Sequence, residues 1–225
     1  MKTTLLFCSK TKDEHELTKK HEKYNILKSS RISEVTVQAK FNNTASLPVV
    51  YNFFLNSNTG NVVCAHDDLL IRDPNWLEKL SKALEIYDVV GLAGASGAIV
   101  KPPCLWHLMC PRETFRGTVT HVAENGTDTF VTNFGKQGRV LILDGIFLAF
   151  NCKKIKEAGA YFDTTNPCIA HFYDIDFCLT CNKQKLKLGT VNIDAVHCSP
   201  GLKKYTDEWY AGQSWFLQKY IDGKY

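Results

Sequence analysis

Two carboxylates and an imidazole stand together where a short apolar segment ends. His66, Asp67 and Asp68 follow residues 62–65, a run with the length and apolar character of a buried strand. Carboxylate oxygens are ligands that hard divalent cations such as Mg²⁺ and Mn²⁺ prefer, and a cation held there can bridge a diphosphate. The simpler interpretation is that Asp67 or Asp68 caps the following turn. Taken alone, the three residues leave both interpretations open.

A second pair of carboxylates, Asp174 and Asp176, lies in an aromatic stretch at the predicted start of a helix. A carboxylate at a helix N-terminus is stabilised by the helix dipole and by backbone amides, which accounts for one of the two acids. Two nearly adjacent acids among aromatic side chains are costly to bury unless they have partners or a chemical role. Both are therefore candidate functional residues.

A late histidine, His197, follows the last predicted strand and precedes a small, turn-forming loop that contains Ser199. A histidine at a strand end can bind a metal or a phosphate, and the Ser199 hydroxyl can bind phosphate oxygens together with nearby backbone amides. An ordinary loop histidine explains His197 equally well. Its assignment depends on what the fold places around it.

The elements that must position these side chains alternate between strands and helices. Strand-like runs are found at residues 3–8, 34–39, 62–65, 88–92, 139–150 and 191–196. Helix-like spacing of apolar residues is found at residues 46–55, 175–186 and 209–220, and Asp73 is predicted to cap another helix with Pro74 in its first position. This alternation predicts an α/β fold, in which ligands bind beyond the carboxyl ends of parallel strands.

The alternation is lost between residues 94 and 139, where glycine and proline separate short aromatic or β-branched runs. Such a region is typical of an antiparallel excursion or a loop that carries specificity. Trp106 lies within it, either as an aromatic platform for sugar rings or as the anchor of a loop on the core.

Composition and charge limit the classes of protein to which the chain can belong. The 225 residues, 44% of them hydrophobic, suffice for one domain. No apolar run has the roughly 18 residues of a membrane span, and the run after Lys2 is broken before it could form a signal peptide; we therefore expect a cytoplasmic location. Nine dispersed cysteines predict reduced thiols. A net charge of +4 without a basic stripe argues against a nucleic-acid partner.

Five short motifs follow one another along the chain: VVCAHDD (62–68), GLAG (91–94), LDG (143–145), HFYDIDF (171–177) and HCSPG (197–201). In this order they resemble the GT-A glycosyltransferases, particularly family-2-like bacterial and viral members. The resemblance implies one GT-A domain with a Rossmann-like, mixed and mostly parallel sheet flanked by helices. It also implies a nucleotide-binding half at about residues 1–95 and an acceptor and catalytic half at about residues 96–225.

The same resemblance implies an activity, the transfer of a sugar from a nucleoside diphosphate to a glycan or other hydroxyl acceptor with Mn²⁺ or Mg²⁺. We expect a UDP-sugar donor. Asp68 matches the metal ligand of these enzymes, and His197 matches a late metal or diphosphate contact. Asp174 matches the acid that accepts the acceptor proton in inverting members. The residues implied to bind the donor are His66, Asp67, Asp144 and Ser199, and weaker assignments to the acceptor are Trp106 and Asp176.

The sequence departs from the pattern of these enzymes, and it is also compatible with other functions. His66 replaces the first acid of the usual Asp-x-Asp motif, so either His66 or Asp67 can take the nucleotide role. Asp176 is alternatively a structural residue at the helix start. A zinc-binding module is suggested by Cys178 and Cys181 followed by His197, although the two cysteines also fit a core helix. A further alternative is a non-catalytic protein that binds nucleotide or carbohydrate.

Overall fold

The computed structural model describes residues 2–29, 35–123, 126, 128–199 and 204–221. Its helices are α1 (Glu14–Lys20), α2 (Leu47–Ser57), α3 (Trp76–Ile86), α4 (Trp106–Met109), α5 (Cys152–Glu157), α6 (Tyr173–Lys183) and α7 (Asp207–Tyr220). Its strands are β1 (Thr3–Cys8), β2 (Val35–Lys40), β3 (Asn61–His66), β4 (Leu69–Ile71), β5 (Val89–Gly91), β6 (Ala93–Ala95), β7 (Phe115–Val122), β8 (Thr129–Gly135), β9 (Arg139–Val140), β10 (Ile142–Leu143), β11 (Phe147–Asn151), β12 (Leu188–Thr190) and β13 (Ala195–His197). Short 3-10 helices are found at Ile26–Ser29 and Arg112–Thr114.

A central sheet of seven strands, in the order β2-β1-β3-β11-β5-β12-β9, confirms the predicted mixed α/β class. Strand β1 is parallel to both β2 and β3, and β12 is parallel to β5, whereas β11 is antiparallel to β3 and β5, and β9 is antiparallel to β12. The sheet is therefore mixed, as predicted, but not mostly parallel. The register sets Cys8 opposite both Lys40 and His66. The carboxyl ends of β1 and β3 therefore meet at one edge, where the chain continues into Asp67 and Asp68.

A second sheet, in the order β10-β6-β7-β13-β4, lies beside the first, and β8 pairs with β7. The antiparallel β7–β8 hairpin confirms the excursion predicted for residues 94–139. Strand β13 lies between β4 and β7, with His197 opposite Leu69 on one side and opposite His121 on the other. This sheet connects the end of β3 to a segment near the end of the chain.

The central sheet is buried on both faces. Along β1, Leu5 and Phe7 belong to an apolar cluster that includes Trp76 of α3, whereas Leu6 belongs to the opposite cluster with Tyr51 of α2. Each leucine is fully buried, which stabilises the fold by about 1.5 to 3 kcal/mol per side chain. This alternation explains why β1 reads as a continuous apolar run in the sequence.

Two local predictions differ from the structure. Helix α3 begins after Asn75, and Asp73 accepts a hydrogen bond from the Asn75 amide at 3.0 Å in the preceding turn, so Asp73 is not the cap. Of the strand predicted at residues 191–196, residues 195 and 196 belong to β13 and residues 191–194 to no strand, whereas β12 lies before it. Residue 34 of the second predicted strand lies outside the described residues.

All nine cysteines are free thiols, as their spacing predicts. In the part of the chain that the structure describes, no helix has the length and apolar character needed to cross a membrane.

Candidate functional site

Three potential metal ligands meet where β3 and β13 end. His66 is the last residue of β3, Asp68 lies between β3 and β4, and His197 is the last residue of β13. Because Leu69 pairs with His197, Asp68 is brought against the imidazole. Oδ1 of Asp68 lies 3.3 Å from Nε2 of His197 and 3.9 Å from Nδ1 of His66. One ligand atom from each residue fits within a group in which all distances are at most 4.8 Å.

This group fits a cation. Asp68 and His197 have side chains only 15% and 12% exposed, and neither Oδ1 of Asp68 nor Nε2 of His197 has a hydrogen-bond partner of good geometry. Buried polar atoms without partners are rare because they lose their hydration without compensation. A divalent cation between them would satisfy both atoms and would be bound by two imidazole nitrogens and one carboxylate oxygen.

Electrostatics favour the metal-binding forms of Asp68 and His66 at neutral pH, but not that of His197. Burial alone would raise the pKa of Asp68, but the facing His197 and His66 imidazoles hold it well below its usual value. Burial opposes protonation of His197, yet the same carboxylate raises the pKa of this histidine. At His66 burial prevails and lowers the pKa. Asp68 is therefore ionised and His66 neutral at neutral pH, which are the forms that bind metals.

Asp144 and Asp174 form a second acidic group. Asp144 follows β10, and Asp174 lies in the first turn of α6. The Gly145 amide donates to Oδ2 of Asp174 at 2.9 Å, and the Trp106 indole donates to Oδ2 of Asp144 at 2.8 Å. Burial, followed by the nearby charge of Asp144, raises the pKa of Asp174 to about 7. A carboxyl group that titrates near neutral pH is suited to accept or donate a proton.

Tyr173 connects the two groups. Its hydroxyl donates to the Gly145 carbonyl at 3.1 Å and lies 3.3 Å from Nε2 of His66. A side chain on Gly145 would collide with this hydroxyl, so glycine is required at that position of the LDG motif. In the sequence, Tyr173 is the residue directly before Asp174. Its contact with His66 depends on long-range packing and has no local signal.

Two clefts flank the His66, Asp68 and His197 group. The larger has a volume of about 640 Å³, and the smaller has a volume of about 260 Å³. Among the residues singled out in the sequence, Trp106, Asp144, His197 and Ser199 line the larger cleft, and His66 and Asp67 line the smaller. The larger cleft also includes His121 and Arg112, which sequence reasoning missed because they lie in the irregular region.

Asp176 is a correction to the predicted acceptor contacts. Its side chain is 1% exposed, and Oδ1 receives hydrogen bonds from Lys219 at 2.5 Å and from the Tyr220 hydroxyl at 2.6 Å. Those residues belong to α7, so Asp176 ties α7 to α6 in the interior. A carboxylate held in this way is not accessible to a substrate, and the structural alternative for Asp176 is the correct one.

Trp106 is 7% exposed and packs on Phe115 and Phe134, with ring centroids 5.0 and 5.2 Å away. This packing matches the loop-anchor interpretation, and a contact with sugar stays a prediction.

The cysteine-based zinc site has no support in this geometry. Cys178 and Cys181 lie on α6 and are fully buried in the core. Cys178 Sγ accepts a hydrogen bond from the Leu143 amide at 3.2 Å. Among the described residues, the candidate metal group contains no cysteine. The two cysteines are core residues here.

The raised pKa of Asp174 predicts a pH-dependent gain in stability for Asp174→Asn. In the unfolded chain the carboxyl ionises near pH 4, so between about pH 4 and pH 7 the folded state holds the extra proton and wild-type stability falls as pH rises. Asparagine has no carboxyl group to ionise, so Asp174→Asn does not lose this stability as pH rises. We expect the variant to gain more free energy of unfolding relative to wild type at about pH 8 than at about pH 5, measured by urea unfolding. An equal difference at both pH values would show that the pKa is not raised.

No protein-family model and no curated protein sequence matches the chain. Among solved structures, the chain is similar to GalNAc-T7 crystallised with UDP, GalNAc and Mn²⁺, at a TM-score of 0.56 and 8% identity over 99% of this chain and 48% of that one. It thus spans about half the length of GalNAc-T7. A197 from STIV also matches, at 15% identity over 92% of this chain and 87% of that one, but its TM-score of 0.47 is too low to carry an argument. The likeness to GalNAc-T7 shows that the chain has a mixed α/β fold of the GT-A type.

Proposed function

We propose that the protein is a metal-dependent glycosyltransferase that moves a sugar from a nucleoside diphosphate to a hydroxyl group of a glycan or other acceptor. The observation that carries this proposal is the His66, Asp68 and His197 group, which lies between two clefts at the strand ends of a GT-A fold. One cleft would hold the nucleotide, with Asp67 at its wall, and the other would hold the sugars. UDP is the nucleotide that we expect, because the similar GalNAc-T7 structure contains it.

We expect Mn²⁺ as the cation, because the similar GalNAc-T7 structure contains it. Mg²⁺ binds mainly oxygen ligands and keeps several waters, so a site with imidazole ligands suits it less well. Two of the three candidate ligands are histidines. The bound cation would stabilise the negative charge that develops on the departing nucleoside diphosphate.

Asp174 is proposed as the base that accepts the proton of the attacking hydroxyl. Its pKa of about 7 balances the fraction of ionised carboxylate against its basicity at neutral pH. The Gly145 amide orients one carboxylate oxygen, and Asp174 is only partly buried. A single base that deprotonates the attacking hydroxyl predicts direct displacement with inversion at the anomeric carbon. Asp144 and Ser199 are proposed to contact the donor sugar and its phosphates in the larger cleft.

Nucleotide binding tests the proposal most directly. We expect UDP to raise the melting temperature only when Mn²⁺ is present, with smaller shifts for GDP and CMP. A ligand at 100 times its dissociation constant stabilises the native state by about 2.7 kcal/mol, enough for a clear shift. The measurement is a thermal-shift panel of the three nucleotides and their sugar conjugates with and without Mn²⁺. A panel without any shift would contradict the proposal.

Catalysis is separated from binding by Asp174→Ala. We expect the variant to keep Mn²⁺-dependent UDP binding and to lose release of UDP from UDP-sugars. If UDP release continues at the wild-type rate, Asp174 is not the base. If wild type binds UDP but never releases it from any UDP-sugar with any acceptor, the chain is a nucleotide-binding protein without transferase activity.

A further inference from the structure

A permanent positive charge lies in the wall of the larger cleft. Arg112 begins a 3-10 helix shortly after α4, which starts at Trp106, and its side chain lines the cleft. The residue is exposed, and within the described part of the chain no ion pair includes it. Arg116 differs, because its guanidinium donates to the Glu113 and Phe115 carbonyls at 3.1 and 2.7 Å. Arg116 thus has a structural partner, and Arg112 is left for a ligand.

The other charged groups of the cleft do not neutralise Arg112. Asp144 is the carboxylate among the lining residues, and its two oxygens accept hydrogen bonds from the Trp106 indole and the Ile146 amide at 2.8 and 3.1 Å. The other titratable side chains of the lining are histidines, which carry no negative charge: His107, His121 and His197. A neutral ligand would form no ion pair with Arg112, whereas a ligand with an anionic group would form one.

The residues that line the cleft also suit a sugar ring that carries the anionic group. Phe115 and Phe134 are partly buried, with ring centroids 6.1 Å apart, and both line the cleft beside Arg112. Aromatic faces offer apolar contact to the C–H surface of a sugar ring, and neighbouring Asn133 offers amide groups for hydroxyls. The guanidinium presents a planar fork that matches a carboxylate or a phosphate with two parallel hydrogen bonds.

We propose that Arg112 is a specificity-determining residue that binds a carboxylate or phosphate group carried by a sugar in the larger cleft. The proposal rests on the glycosyltransferase function given above and narrows its substrate to an anionic sugar. The anionic group belongs either to the acceptor or to the transferred sugar of the donor.

The test compares wild type with Arg112→Gln by isothermal titration calorimetry in the presence of Mn²⁺. The acceptor arm uses glucuronic acid, glucose 6-phosphate and glucose, each with and without UDP. The donor arm compares UDP-glucuronic acid with UDP-glucose. We expect wild type to bind the charged member of one arm about tenfold or more tighter than the neutral member, since hydrogen bonds to charged groups have this strength. The arm that shows the preference identifies the source of the anionic group.

Arg112→Gln is expected to abolish the preference, and Arg112→Lys to keep part of it, because lysine retains the charge but not the fork. Arg116→Gln is the matched control and is expected to keep the wild-type preference. Equal affinity of wild type for charged and neutral probes in both arms would overturn the proposal. An equal loss of plain UDP binding in Arg112→Gln would also overturn it, because Arg112 would then bind the diphosphate. If wild type fails to bind UDP, the proposed function fails, while the titrations without UDP still test Arg112.

Discussion

Asp68→Ala is expected to lower the affinity of the protein for Mn²⁺ by about 100-fold or more. Asp68 supplies the negative charge of the candidate metal group, because the two other residues, His66 and His197, carry no negative charge. Loss of a residue that only orients a metal ligand already lowers metal affinity about 10-fold to 100-fold. We expect loss of the charged ligand itself to lower the affinity further. The measurement is a Mn²⁺ titration of the nucleotide-free protein that detects free Mn²⁺ by electron paramagnetic resonance.

Asp67→Asn is the matched control for this experiment. Asp67 is the adjacent carboxylate, yet it lines the smaller cleft and does not belong to the group of ligand atoms. We expect Asp67→Asn to keep the Mn²⁺ affinity of the nucleotide-free protein and to weaken nucleotide binding. Equal losses of Mn²⁺ affinity in both variants would mean that the site depends on general negative charge at this edge and not on the geometry around Asp68.

Lys219→Met is expected to lower the free energy of unfolding by about 3 to 5 kcal/mol, because removing one partner of a buried ion pair leaves the other without compensation. Lys219 Nζ lies 2.5 Å from Asp176 and 2.7 Å from Asp163, and its side chain is 9% exposed. Both carboxylates would remain in the interior after the substitution. Urea unfolding, followed by circular dichroism, measures the difference.

Lys82→Met makes the same change in an exposed pair. Lys82 binds Glu78 one helical turn away on α3, with side chains 69% and 65% exposed. Exposed pairs of this kind contribute little to stability, so Lys82→Met should unfold near the wild-type midpoint. Similar losses of stability in the two variants would show that Lys219, Asp163 and Asp176, the Lys219 cluster, contribute no more than a surface pair.

The Lys219 cluster also matters for the site, because it holds α7 against the helix that carries Asp174. Phe172, in a left-handed conformation with φ of 67°, precedes that helix and packs on Trp209 of α7 at 5.2 Å. A non-glycine residue in this region is strained and persists only where surrounding contacts hold it. The C-terminal helix therefore stabilises the turn that leads into Asp174.

Local sequence patterns were sufficient for the elements with strong periodicity. Strand β1 has its predicted boundaries, and α2 and α7 begin and end within a few residues of theirs. Strands buried on both faces and helices with an apolar face carry their signal in the adjacent residues. The same patterns did not predict β12, because a strand of three residues that includes a glycine is too short to carry a periodic signal.

The sequence by itself determined the α/β class, the placing of His66, Asp67 and Asp68 after a buried strand, and the pair of acids at the start of α6. Only the tertiary structure decided which of these residues meet. Asp68 reaches His197 because β4 pairs with β13 in a second sheet, and Asp176 is removed from the site because α7 covers it. Both contacts join segments far apart in the chain, and long-range packing of this kind leaves no periodic signal in the residues on either side.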